Sequence, residues 1–502
     1  MTGTRLTRPN PLPGSNGVAF GPDGRLHVAQ FLAGQLSAVD LDSGDVEVVV
    51  PAGGPVQSPD DLAFGADGSM YITDLVPGRV WRRDPAGEFH LVTEELRLPN
   101  GITCVGDRLF VNEMRPSGRV VELTGGTARV LADGLAMGNA MQLGPDGCLY
   151  YPHMLTGQVF RVPADGGDPE LVADEVHEPV AVRFDRGGVL HVLSRGAAGI
   201  VTRIDLFGDG GRSLVASGVV GLDNAAFDTE NRMFVSSYAS GGIAELHPDG
   251  RTRQVVEPGF GGPYGVTVDL GGRVYAGDHY RLASPDPAGG VRTEELLIFT
   301  HGVAADGGVV HTTSQYGQVS TYDPETGESR ARANGLARPM GIAVRADGAL
   351  LVAEADAGRV VVIDSADEVS VLAEGLDHPV DVALDAGQRV YFSDDRRGGV
   401  FRIDENEVVP IAEDLGAPQG LAVRGDDLVT VETAHGRLRA ISLTTGESRI
   451  EAADLAVSPP LAEARALFCD GLPGVPIPFA GLAVGPDDAL YLAAEGIVRF
   501  PA

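Results

Sequence analysis

Oxygen-bearing and ionisable side chains recur at two fixed places in this sequence. Asn16, Asp60, Asn100, Asn139, Val180 and Asp223 each begin an apolar run that leads into a short Asp/Gly turn. Gln30, Asp74, Glu113, His153, Ser194 and Ser237 end the run that follows that turn. Five of the first six positions carry a carboxylate or an amide. Hard oxygen donors converging on one axis suit Ca²⁺, Mg²⁺ or Mn²⁺, with Zn²⁺ a further candidate. The expected ligands are Asp60, Asn100, Asn139 and Asp223. His153 and Glu113, on the second set of positions, are the expected proton carriers. The alternative is that Asn and Asp only cap the tight turn before each run.

The same two places in the second half read differently. Tyr264, His301, Met340, Val380, Gln419 and Ala480 occupy the first, and Asp278, Ser314, Glu354, Asp394, Glu432 and Ala494 the second. Aromatic and apolar groups mixed with acids and histidines suit an organic ligand better than a metal cage. Tyr264, His279, Met340 and Gln419 are the expected substrate contacts, with His301, Glu354 and Glu432 as acid/base candidates. The opposing reading makes these acids solvated loop residues.

Some chemistry is excluded. All 38 basic residues are Arg, so neither a Lys Schiff base nor a Gly-x-x-x-x-Gly-Lys phosphate loop can form. No Gly-x-Ser-x-Gly nucleophile elbow with a triad can be assembled. Glu432-Thr433-Ala434-His435 has an unspecific spacing for metal ligation.

The elements that must hold these residues follow from the repeat. A phrase such as Asn16-Gly17-Val18-Ala19-Phe20-Gly21-Pro22-Asp23-Gly24-Arg25-Leu26-His27-Val28 returns about twelve times at a period of roughly 40 residues. Each copy reads as two short strands joined by an Asp-Gly hairpin, usually followed by a second pair. Four antiparallel strands per copy make one β-propeller blade, and twelve blades exceed one ring. The expectation is all-β: two six-bladed β-propellers, residues 1–260 and 261–502. An insertion at 458–477 looks helical over 461–467. The last copy ends at Gly496-Ile497-Val498-Arg499-Phe500, one strand short. The insertion at 458–477 is the alternative cover for that edge; Thr4-Arg5-Leu6-Thr7-Arg8 alternates suitably and is the favoured segment to complete it. That closure would make one domain discontinuous.

The 502 residues are 43% hydrophobic, with a net charge of −32. Such a surface should repel nucleic acid and anionic lipid. No apolar run reaches the roughly 18 residues that would span a membrane. Met1 to Arg8 lacks the apolar stretch of a secretory signal. Cys104, Cys148 and Cys469 are too few and too scattered for a disulfide framework. A cytoplasmic protein acting on a small molecule is expected.

The repeat resembles NHL-type propellers, in particular the regucalcin/gluconolactonase-like and streptogramin-lyase-like proteins. Leu98-Pro99-Asn100-Gly101-Ile102 is similar to the Pro-Asn-Gly segment whose Asn binds the divalent cation in the gluconolactonase-like family. Met340-Gly341-Ile342-Ala343-Val344 with Leu350-Leu351-Val352-Ala353-Glu354 is similar to the lyase blade phrase. Where the gluconolactonase-like family places Glu in its first blade, this chain has Asn16, and one blade beyond Asn100 it has Asn139 where they have Asp. Both families use one propeller. The resemblance implies a metal-assisted lactone or ester hydrolase. The alternatives are a lyase or cyclase on a natural-product scaffold, or a non-catalytic ligand- or protein-binding propeller.

Overall fold

A computed structural model describes residues 2–124, 128–405, 407–458, 468–469, 472–473 and 477–502. The described residues are strands and turns with almost no helix, a 3-10 turn at Ala355–Ala357 aside. They form ten four-stranded antiparallel sheets, one six-stranded sheet and one two-stranded hairpin, the architecture of a β-propeller. The helix expected at 461–467 lies outside the described residues. No described helix is long and apolar enough to cross a membrane.

The chain divides into two compact units. One is Asn10–Pro258 with Phe468–Val475; the other is Met1–Pro9, Gly259–Leu467 and Pro476–Ala502. They are called here the Asn10 unit and the Gly259 unit. This division differs from contiguous halves at 260/261, because the strand Thr4–Arg5 pairs with Gly496–Phe500, Thr4 opposite Arg499.

In the Asn10 unit the first strands of six sheets are Ser15–Phe20, Pro59–Phe64, Pro99–Val105, Gln142–Leu143, Pro179–Phe184 and Leu222–Phe227. Strand Ser15–Phe20 lies beside both Pro59–Phe64 and Leu222–Phe227, so the sixth sheet meets the first. Val18, Leu26, Val28 and Val39 of the first sheet pack with Phe234, Ile243 and Val256 of the sixth. Each such buried side chain contributes roughly 1.5–3 kcal/mol. The Ser236 hydroxyl donates to the Asn16 carbonyl (2.6 Å) across the same seam.

The Gly259 unit closes similarly. Val266, Val274 and Ala276 pack on Ala489, Tyr491, Ala493 and Ile497. Its six-stranded sheet arises where two copies of the repeat run together in the long strands Val274–Pro285 and Val291–Asp306. The chain bends in place at His279 (φ 53°) and Phe299 (φ 45°), left-handed positions that substitute for loops.

The N-terminal segment does more than pair two residues. The Leu6 amide donates to the Ile497 carbonyl (2.9 Å), and the Leu6 side chain packs on the cluster around Ala489 and Ile497. Burying one Leu and satisfying about three backbone hydrogen bonds is worth roughly 3–5 kcal/mol. Deleting residues 2–9 is expected to lower the melting temperature by on the order of 10 °C. An unchanged melting temperature in scanning calorimetry would show that the segment closes nothing.

Candidate functional site

A β-bulge places the first-position residues. Ser15 pairs with Gln30, then the register slips so that Val18 meets Val28, and Asn16-Gly17 are left over. The same slip follows Pro59, Pro99, Leu222, Pro339 and Pro418. Each bulge re-aims two side chains at the end of a first strand. The glycines after several of them are not there for a turn. A Cβ on Gly101 would lie 2.2 Å from the Asn139 carbonyl, and one on Gly341 would lie 2.0 Å from Asp381 Oδ1. Neighbouring first strands approach too closely for any side chain.

In the Asn10 unit this brings Asp60, Asn100, Asn139 and Asp223 to one end of the first strands, all buried. Burial, reinforced by the charge of Asp61, raises the Asp60 carboxyl to about 7. Burial first, then the charges of Asp60 and Asp61, holds Asp223 well above the ordinary carboxylate range. Asn100 Nδ2 donates to Asp60 Oδ1 (2.9 Å), leaving Asn100 Oδ1 buried without a partner. Two buried carboxylates, offset only in part by the Asn100 amide and the Arg183 charge, and an orphaned amide oxygen fit a hard divalent cation. Asn139 departs from the expected ligand set. Its Oδ1 accepts the Ala140 amide (2.6 Å), and its Nδ2 faces the sulfurs of Met154 and Met114 (3.3 and 3.5 Å). Among the described residues no three His, Cys, Asp or Glu side chains are grouped to hold a metal, so any cation here relies on amide oxygen or solvent.

A second buried network lies next to this one. Asp61 accepts the Leu62 and Ile102 amides and Asn224 Nδ2, with Arg183 Nη2 3.8 Å away. Burial raises Asp61, and the Arg183 charge opposes it. A cavity of about 560 Å³ is lined by the first strands, including Leu62, Ile102, Met141, Arg183 and Ala225. In the Gly259 unit the corresponding space is about 200 Å³ and includes Asp381, which burial raises to about 8.

The second-position acids close hairpins. Glu113 accepts the Arg97 amide (3.1 Å) and a two-pronged contact from Arg119 (2.6 and 2.9 Å). Glu354 takes the Ala337 amide and Arg359, and Glu432 takes the Gly416 amide, Arg437 and Arg439. Burial works against the charge on Glu432, but Arg437, the Gly416 amide and Arg439 bring it down to about 2. Glu113 and Glu432, both held below the usual carboxylate range, are poor proton carriers at neutral pH. Asp74, Asp278 and Asp394 cap the same loop, 16 or 17 residues upstream, as do Ser194, Ser237 and Ser314 by donating to its carbonyl. His153 stacks on Phe160 at 4.4 Å between ring centres, and burial lowers it to about 4. It makes no hydrogen bond to Glu113, so the expected His153–Glu113 pair is not assembled.

The Gly259 unit gathers the expected aromatic and histidine residues. The Tyr264 ring meets His279 edge-on at 4.4 Å and His301 at 4.6 Å, and Met340, Val380 and Phe479 pack with Tyr264. Gln419 is spent on structure: its Oε1 accepts the Ala480 amide and its Nε2 donates to Asp395. Burial lowers both His279 and His301 to about 3, opposed by carbonyls of Gly261 and Ile477 respectively. Arg338 and His279 lie close enough to His301 to disfavour its charge further. A histidine with a depressed folded pKa stabilises above its unfolded value near 6.5, and that stability is lost as pH falls toward 3. At pH 4.5 each of the two costs on the order of 3 kcal/mol. His301→Gln should therefore show a shallower acid limb in denaturation, by one proton; an unchanged slope would show that His301 charges freely.

Residue type alone did not reveal Asp61–Arg183–Asn224, Asp381, Gln315, Arg338 or His378. The signal for Asp61, Asn224 and Asp381 is their place in the bulge, immediately after a first-position residue. Arg338 and His378 directly precede Pro339 and Pro379, at the same end.

A sequence-family profile described as outer membrane protein assembly factor BamB matches residues 272–371. No curated protein sequence matches the chain significantly. Among solved structures, a streptogramin B lyase aligns with a TM-score of 0.41 at 17% identity, covering 55% of this chain and 94% of that one. A calcium-binding regucalcin from Agrobacterium tumefaciens aligns with 0.39 at 21%, covering 48% and 86%. A putative gluconolactonase aligns with 0.39 at 17%, covering 47% and 89%. The chain thus resembles β-propellers of the regucalcin/gluconolactonase-like and streptogramin-lyase-like kinds, and what it shares with them is the fold.

Proposed function

We propose that each unit is one six-bladed propeller, and that the Asn10 unit is a metal-assisted hydrolase of lactones or related esters. The observation that carries this is the pair Asp60–Asp223: two buried carboxylates at one end of the first strands, with no basic side chain hydrogen-bonded to either. Asp60 is raised by burial and the charge of Asp61, and Asp223 by burial and the charges of Asp60 and Asp61 against the opposing charge of Arg183. Such a pair is costly unless it shares a proton or holds a cation. Asp60, Asp223 and Asn100 Oδ1 would hold the ion. When bound it would polarise an ester carbonyl or lower the pKa of a water. Asn100 Nδ2 orients Asp60, and the sulfurs of Met114 and Met154 give the mouth an apolar wall. Within the hydrolase, neither Glu113 nor His153 is assigned the proton transfer, given where their side chains are held. The lyase or cyclase reading needs a competent base in the Gly259 unit. There Asp278, Glu354, Asp394 and Glu432 are tied to arginines or loop amides, and His279 and His301 are weakly basic.

The test is hydrolysis of a panel of γ- and δ-lactones and aryl esters with Ca²⁺ or Mn²⁺, with and without chelator. Chelator-sensitive turnover that disappears in Asp60→Asn supports the reading. Absence of chelator-sensitive turnover across the panel refutes it.

A further inference from the structure

Five buried polar atoms without hydrogen-bond partners collect at one end of the first strands in the Gly259 unit: His279 Nδ1, His301 Nδ1, Gln315 Nε2, Arg338 Nε and His378 Nε2. All five residues are more than nine-tenths buried. They lie at or beside the left-handed bends of the two long strands (His279, His301), follow a second strand (Gln315) or immediately precede first strands (Arg338, His378), so the blade repeat brings them together. Buried polar groups are normally satisfied, and each orphan calls for a partner.

The polarity of these atoms can be assigned. His279 Nε2 faces the Gly261 carbonyl (3.2 Å) and His301 Nε2 the Ile477 carbonyl (2.9 Å). A carbonyl only accepts, so each Nε2 carries the hydrogen, and in a neutral ring each Nδ1 is a bare lone pair. Both of these rings meet Tyr264 edge-on. Gln315 Oε1 accepts the Ile477 amide (3.3 Å), which makes Nε2 the free, donating end. Arg338 Nε has no hydrogen-bond partner, although it forms an ion pair with Asp356 at 3.3 Å. His378 Nδ1 is bonded to Asp395 (2.6 Å). Tyr264, Met340 and Phe479 supply an apolar floor.

We propose that this end of the Gly259 unit binds a small hydroxylated carboxylic acid, its hydroxyls donating to His279 and His301 Nδ1 and its carboxylate accepting from Arg338 and Gln315. Two acceptors on one side and a guanidinium with an amide donor on the other match a molecule bearing hydroxyl hydrogens at one end and a carboxylate at the other. An apolar floor favours a compact ring over an extended chain. The site is independent of the hydrolase proposed for the Asn10 unit, and binding here needs no metal.

Calorimetric titration of the full chain, in chelator, with quinate and with 3,4-dihydroxybenzoate tests this. Benzoate, lacking hydroxyls, and myo-inositol, lacking a carboxylate, are the controls. The expected result is one site for at least one of the two acids, with both controls at least tenfold weaker. His301→Phe and Arg338→Met, each checked for an intact melting transition, should each weaken binding at least tenfold. If neither acid binds at millimolar concentration, the orphaned atoms are met by ordered water and the proposal fails. Binding undiminished in the folded variants, or benzoate binding equally well, overturns it too.

Discussion

Alanine at Asp223 is expected to weaken divalent-cation binding at least 100-fold while leaving the melting temperature of the metal-free protein unchanged or raised. Asp223 supplies one of the two carboxylates proposed as ligands in the Asn10 unit. Removing a charged ligand from so small a set costs about 2.7 kcal/mol or more, a hundredfold in affinity. The apo protein should not suffer, because Asp223 is a buried acid destabilised by burial and by the charges of Asp60 and Asp61. Most structural acids behave oppositely. Titration of Ca²⁺ or Mn²⁺ into wild type and variant, with a thermal scan of each, separates the cases. Equal affinities would remove Asp223 from any cation site, and a large fall in apo stability would make it structural.

Methionine at Arg281 should have the largest effect on stability of any single change considered. Arg281 is fully buried, its Nε and Nη2 bonded to Asp278 Oδ2 (2.8 and 2.7 Å), its Nη1 to Thr293 and its Nη2 to the Gly259 carbonyl. Burial alone already raises Asp278, with Arg281 the main opposing influence. Without Arg281 the carboxylate has only the Gly261 amide, and stranding a buried charge costs about 3–5 kcal/mol. The double variant Asp278→Asn/Arg281→Met should recover much of that loss, since the charge goes with its partner. Denaturant melts of the three variants decide it. If the single change costs less than about 1 kcal/mol, the pair is not holding the joined blades around His279.

The blade repeat was legible because each copy carries its own turn chemistry and apolar alternation. Aligning copies sets Asp60, Asn100, Asn139 and Asp223 at equivalent positions, since topology fixes where a first strand begins. It gives no side-chain orientation: Asn139 turns its oxygen onto the Ala140 amide, whereas Asn100 Oδ1 has no partner. No sequence pattern distinguishes those two orientations. Glu113, Glu354 and Glu432 show a different limit. The end of a second strand both faces the mouth and closes the hairpin loop, and an acid there serves the second role once an Arg stands five to seven residues later. Those arginines, Arg119, Arg359, Arg437 and Arg439, were visible in the sequence as a spacing. The fusion of two blades into one six-stranded sheet was not legible, because it depends on left-handed backbone at His279 and at Phe299, a bulky residue that usually avoids it. Closure by the N-terminal strand was legible from the strand missing after Phe500.

The central claim is a divalent cation held by Asp60 and Asp223. The most direct measurement is anomalous scattering from a crystal of the full chain equilibrated with Mn²⁺. The account predicts one strong peak in the Asn10 unit, about 2.1–2.5 Å from carboxylate oxygens of both Asp60 and Asp223, with Asn100 Oδ1 as a third neighbour. A map with no peak between those two carboxylates, at Mn²⁺ concentrations that fill ordinary sites, would contradict it.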